Sequence, residues 1–201
     1  MFTTPARKIT ATGFATALLG GLALAVSPLS AEAATHTCNG HKATIVGTSG
    51  NDHIRGTNGR DVIVALGGHD EIEGRGGNDI ICGGAGRDEI EGGSGNDWID
   101  GGSGRDEIDG DSGNDYIRGG SGHDEIDGDS GNDTIYGGSG HDRIEGGRGN
   151  DKLYGQSGHD LIEGNAGTDK LSGGTGTDIL AQGSVSDRVE DRWEDRYGLD
   201  D

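Results

Sequence analysis

Aspartate recurs every nine residues through most of the chain, at Asp52, Asp61, Asp70, Asp79, Asp88, Asp97, Asp106, Asp115, Asp124, Asp133, Asp142, Asp151, Asp160, Asp169 and Asp178. Each lies two residues after a glycine and two before an isoleucine or leucine. Counted from Gly47, fifteen consecutive nine-residue units run to Ala181 without an insertion. Glycine holds the fourth position in all fifteen and the first in fourteen, with Ala65 the exception. Glycine reaches backbone angles closed to other residues, so a six-residue loop of this composition can turn its carbonyl oxygens inward. A carboxylate at the end of such a loop adds negative charge. Calcium takes 6–8 oxygen ligands and accepts carbonyls beside carboxylates, so the pattern is suited to a hard divalent cation.

The elements that position these aspartates follow from the last three residues of each unit. A side chain flanked by two outward neighbours is the pattern of a three-residue strand with an inward centre. Two units make one coil of eighteen residues: loop, strand, loop, strand. Successive coils then stack as parallel strands about 4.8 Å apart, giving a rod of about 36 Å.

The pattern G-G-x-G-x-D-x-(aliphatic)-x resembles the calcium-binding nonapeptide of repeats-in-toxin (RTX, hemolysin-type) proteins. The resemblance implies an all-β fold, a parallel β-roll, with Ca2+ as its cofactor and the fifteen aspartates as metal ligands. It also implies that each ion sits between the loop of one unit and that of the unit two further on. Fifteen units less two give thirteen such pairs. The metal-loop glycines are then those at first and fourth positions, clearest at Gly83, Gly86, Gly92, Gly95, Gly101, Gly104, Gly110, Gly113, Gly119, Gly122, Gly128, Gly131, Gly137, Gly140, Gly146 and Gly149. Second positions at Thr48, Thr57, Leu66 and Arg75 depart from glycine, so the N-terminal sites are expected to be weaker.

Composition agrees with a fold that needs ions. The 201 residues include 44 glycines, carry a net charge of −20 and are 4% aromatic. One aliphatic side chain per unit is little burial to set against the entropy of ordering the backbone, and stacked aspartates repel one another. Folding is therefore expected to follow metal binding. The acidic balance excludes nucleic acid as a natural partner.

Residues 1–33 read as a signal peptide, with Arg7 and Lys8 ahead of the apolar run Phe14–Val26 and the small-residue site Ala31–Ala33. That run is shorter than the ~20 residues of a membrane span, so no span is expected and the protein is placed outside the cell. Cys38 and Cys82 then meet an oxidising compartment and are expected to pair. Residues 34–46 keep the repeat register at Ile45 but lack the aspartate, and read as an N-terminal cap held by that bridge over Val62, Val64 and Ile80. The β-roll spans 47–181. Residues 182–201 carry Val185, Val189, Trp193 and Tyr197 four apart, which predicts a C-terminal capping helix.

Odd and even units face opposite ways. Outward positions of odd units are acidic, among them Glu71, Glu89, Glu107 and Glu125; even units give Trp98, Tyr116, Tyr136 and Tyr154. The aromatic face is either ordinary strand preference or a docking surface for a glycan or protein partner. The fifth-position residues, including His123, His141 and His159, either balance the nearby carboxylates or form a ladder for transition metals. No H-E-x-x-H helix, nucleophile elbow or dinucleotide fingerprint occurs, and no enzyme is expected. The expectation is a secreted, non-catalytic calcium-binding protein acting as a structural or adhesive module. The alternatives are a disordered extracellular calcium buffer and an accessory module of a glycan-modifying system.

Overall fold

The computed structural model describes residues 7–10 and 36–183. Two parallel sheets face each other across a thin interior. One has nine strands: Arg7–Thr10, then Asp52–Arg55, Glu71–Glu73, Glu89–Glu91, Glu107–Asp109, Glu125–Asp127, Arg143–Glu145, Leu161–Glu163 and Ile179–Ala181. Its last eight strands come from the odd units. The other sheet has eight: Ile45–Val46 and the strands of the seven even units, from Val62–Val64 to Lys170–Thr175. From coil to coil the register steps by eighteen residues, so Ile72 pairs with Ile54 and Ile90, and Ile81 with Ile63 and Ile99. The repeats thus form a stack of two-strand coils, as the nine-residue period requires.

The core is one aliphatic side chain per strand. The eighth-position isoleucines from Ile54 to Ile144 are at most 1% exposed, and Leu153 and Ile162 are fully buried. In-register repetition lets identical side chains stack in columns from both sheets, and these columns make one continuous cluster. Ala65, the one non-glycine at a first position, joins that cluster.

The two sheets differ in strand length. Odd strands are short, as the pattern predicts, but most even strands run six residues, such as Trp98–Ser103, because pairing continues through the first loop positions of the next unit. At the N-terminal end Thr37–Cys38 and His41–Lys42 form a small antiparallel hairpin. The Cys38–Cys82 disulfide, with Cα atoms 5.9 Å apart, fastens it across the even sheet. Cys38, Ala43, Val62, Val64 and Ile80 bury one another there, with Val46 and Trp98 packed alongside. The expected cap and bridge are both present. Arg7–Thr10, inside the expected leader, adds a parallel strand against Asp52–Arg55. The expected C-terminal helix lies outside the described residues.

Candidate metal centre

Each aspartate stands at the junction of loop and strand, and from Asp52 to Asp160 its unit buries an aliphatic side chain two residues later, whereas Leu180 after Asp178 is exposed. That anchoring turns the carboxylate inward. From Asp52 to Asp160 every one of them is at most 5% exposed. The two columns lie one along each edge of the roll. Along a column each aspartate donates its backbone N–H to Oδ1 of the aspartate two units on: Asp97 to Asp115 and Asp115 to Asp133 at 2.8 Å, Asp106 to Asp124 and Asp124 to Asp142 at 3.0 Å. The ladder is continuous from Asp52 to Asp178 on one edge and from Asp61 to Asp169 on the other.

The second carboxylate oxygen is different. In twelve successive units, from Asp70 to Asp169, Oδ2 is buried and has no hydrogen-bond partner. Buried polar atoms are almost always paired, and an ionised oxygen left alone in this way is costly. Burial, followed by the charges of neighbouring aspartates, pushes Asp142 up to about 8, and Asp79, Asp106 and Asp115 to about 7. The backbone N–H bond to Oδ1 opposes that rise without cancelling it.

The space beside Oδ2 is walled by glycine. A Cβ placed on Gly119 would lie 2.6 Å from both Asp124 Oδ2 and the carbonyl oxygen of Gly137, two units on. Gly122, at the fourth position with φ of 147°, runs so close to the previous coil that a Cβ would fall 1.4 Å from the Gly104 carbonyl oxygen. Only glycine permits the first approach and the second backbone angle. A carboxylate oxygen of one coil and a loop carbonyl of the next therefore converge beside each such glycine. That donor set suits calcium.

The first two units break the series. Thr48 N–H and Oγ1 both reach Asp52 Oδ2, at 2.6 and 2.9 Å. Thr57 repeats this on Asp61 Oδ2, at 2.7 and 2.9 Å. Their T-x-G-x-D spacing is readable in the sequence as a loop able to close on its own aspartate, a signal that a search for missing glycines alone passes over.

Fifth-position Arg60 lies close enough to Asp79 to offset part of the rise of its carboxyl, and others of the series act as hydrogen-bond acceptors between coils. Asn96 Oδ1 accepts the backbone N–H of Asn114 at 2.7 Å, and Nδ1 of His123 and His141 accept those of His141 and His159 at 2.7 and 2.9 Å. Each side chain thus serves as a rung to the coil above. Nδ1 is the acceptor, so the neutral rings carry their proton on Nε2. The three rings stack at 4.8 and 5.0 Å. Burial, then the neighbouring histidines, holds His141 below the usual imidazole range.

The outer faces separate as expected. Glu89, Glu107 and Glu125 lie directly opposite one another on the odd sheet, an unfavourable arrangement relieved at one end where Arg143 reaches Glu125 and Glu145. At the other end His53, Glu71 and Glu73 cluster closely enough to share an ion, but Arg55 already pairs with Glu73 there. On the even face Trp98 and Tyr116, Tyr116 and Tyr136, and Tyr136 and Tyr154 form a ribbon with ring centroids 6.3, 5.5 and 4.9 Å apart. Lys170 sits over the last ring, 5.7 Å from its centroid. No helix among the described residues is long and apolar enough to cross a membrane.

A comparison with curated proteins returned no match. The family model of the RTX calcium-binding nonapeptide repeat, four copies long, matches at residues 46–81, 55–90, 83–117, 109–144, 118–153 and 145–180. These windows together span residues 46–180, and the repeats of this family bind Ca2+. With fifteen aspartates in register, carbonyl-walled loops and a parallel β-roll between them, the chain belongs to the RTX calcium-binding nonapeptide-repeat family.

Proposed function

We propose that this protein is a secreted, non-catalytic calcium-binding module whose roll forms as Ca2+ fills the i/i+2 loop pairs, with the aspartate Oδ2 atoms as the charged ligands. The observation that carries this is the run of twelve buried, unpartnered Oδ2 atoms beside loop carbonyls. When bound, the cation supplies the positive charge that lets stacked carboxylates stay ionised. The chain's own residues hold the loop shape, fix Oδ1 through the N–H ladder and exclude water with the isoleucine columns. Secretion is supported by the character of residues 1–33 and by the Cys38–Cys82 bridge, since such bridges persist in oxidising compartments.

In this reading the rod is structural or adhesive, and its even face is the docking surface for a glycan-bearing partner. That face gathers the aromatic ribbon with Arg118, Lys152 and Lys170, while the opposite face is acidic. Circular dichroism of the purified protein in chelator and in millimolar calcium tests the main claim. A β spectrum that appears with calcium is the expected result; one that is unchanged by the ion rejects it. Trp98 emission, titrated with acidic polysaccharide with and without calcium, tests the face.

A further inference from the structure

We infer that threonine takes the place of calcium in the first two loops, so that the ion-binding array begins at Asp70 and the N-terminal coil folds without metal. This rests on the calcium reading above and departs from the uniform ligand set that the family pattern implies.

Three observations converge. Oδ2 of Asp52 and Oδ2 of Asp61 each accept two hydrogen bonds, from the N–H and the hydroxyl of Thr48 and Thr57 respectively. In the twelve units that follow, the same atom has none. A carboxylate oxygen already holding two donors needs no cation for charge stabilisation, and an ion entering there would first have to displace the hydroxyl.

The loop backbone changes at the same point. In units three to fifteen the second residue always has a left-handed φ, whether it is glycine, as at Gly84, or not, as at Leu66, Arg75, Asp111 and Gln156. Thr48 and Thr57 are outside that group. A β-branched residue is poorly tolerated there. Instead each threonine hydroxyl also accepts an N–H from its own loop, that of Gly50 at 3.2 Å and that of Gly59 at 3.1 Å. The loop is thereby closed by its own donors.

The rest of the same end is also independent of metal. The disulfide pins the hairpin there, and Val62, Val64 and Ile80 are buried beneath it. Ala43 stands in the cap where later units place aspartate, so the cap adds no carboxylate, and of the carboxylate oxygens of Asp52 and Asp61 only Asp52 Oδ1 is buried without a hydrogen-bond partner. The Oδ2 of a given unit faces the first-position carbonyl of the unit two further on, as Asp88 Oδ2 and the Gly101 carbonyl show around Gly83. The pairs lost are then those opened by the first two units, leaving eleven of the thirteen.

The test counts bound calcium per chain by equilibrium dialysis with atomic absorption, and follows backbone hydrogen exchange in chelator. The native protein is expected to bind eleven ions, and residues 44–64 to exchange at least about tenfold more slowly in chelator than residues 100–180. The double variant Thr48→Gly/Thr57→Gly is expected to bind thirteen and to lose that protection. Thr48→Ser/Thr57→Ser, which keeps both hydroxyls, is expected to match the native protein in both measurements. Thirteen ions in the native protein, or uniform exchange in chelator, overturns the inference even if the glycine variant does not fold. Binding of no calcium at all would instead reject the reading on which it rests.

Discussion

Asp124→Asn is the most informative single change, because it separates the two jobs of the carboxylate. Asp124 is fully buried at mid-rod. Its Oδ1 accepts the Asp106 N–H at 3.0 Å, and an asparagine oxygen in the same place keeps that bond. What is lost is Oδ2 and its charge, beside the Gly137 carbonyl. If Oδ2 serves only as a calcium ligand, the cost is the binding free energy of one ion, which depends on free calcium. At a hundredfold excess over the dissociation constant the loss is about 2.7 kcal/mol, and at tenfold it is about 1.4 kcal/mol. Extracellular calcium modules bind at roughly 10⁻⁴–10⁻³ M, so both conditions are reachable. Urea unfolding of native and variant protein at the two calcium levels gives the difference directly. Ile126→Val, two residues on in the same unit and fully inside the core, serves as a control, with a cost of about 0.5–1.5 kcal/mol that does not vary with calcium. A penalty for Asp124→Asn equal at both calcium levels, with an unchanged ion count, would refute the ligand role of Oδ2.

Gly122→Ala drives a Cβ into the Gly104 carbonyl of the preceding coil, so it is expected to split one cooperative unfolding transition into two, visible by calorimetry; a single unshifted transition would contradict the packing. Replacing both Cys38 and Cys82 by serine opens a link between residues 44 apart in sequence. The chain-entropy estimate is a loss of about 4 kcal/mol, and the expected signature is faster proteolysis confined to the N-terminal coil while the distal coils still respond to calcium. The aspartate carboxyls predict the pH response of the metal-free protein. Their folded pKa values are raised, to about 6 at Asp70, Asp124, Asp133 and Asp160 and to about 8 at Asp142, so the folded form holds more protons than the unfolded chain. Its stability is greatest below about pH 4 and is lost as pH rises through 6 to 8. Acidifying calcium-free protein from pH 8 to 5 should therefore increase β signal, and adding calcium to that acid-folded form at pH 5 should release protons measurable by pH-stat.

Much of this was legible in the residues because the repeat is strict. A side chain fixed at every ninth position has one way to stack, so the isoleucine columns, the two-unit coil, the opposed acidic and aromatic faces and the Cys38–Cys82 cap follow from counting. The aspartates were legible as a set. Their division of labour was not, because whether Oδ1 receives a backbone N–H depends on how two coils sit in register rather than on either coil alone. The same is true of the fifth position. His123 and Asn96 differ in size and shape, yet each presents an acceptor at the height of the next N–H, and that equivalence emerges only from the eighteen-residue spacing. Thr48 and Thr57 looked like damaged glycine positions because the comparison was with their neighbours, whereas their function lies in reaching an oxygen four residues away.

The alternation of the two sheets has a consequence for how such a chain can change length. Deleting nine residues leaves every buried isoleucine and aspartate in phase, yet all that lies downstream turns to the opposite side, and its glutamates and tyrosines trade places. Deleting eighteen shortens the rod by one storey and leaves both exteriors intact. Gene duplication or loss can therefore adjust the reach of this molecule without disturbing what it displays, provided it proceeds by whole turns.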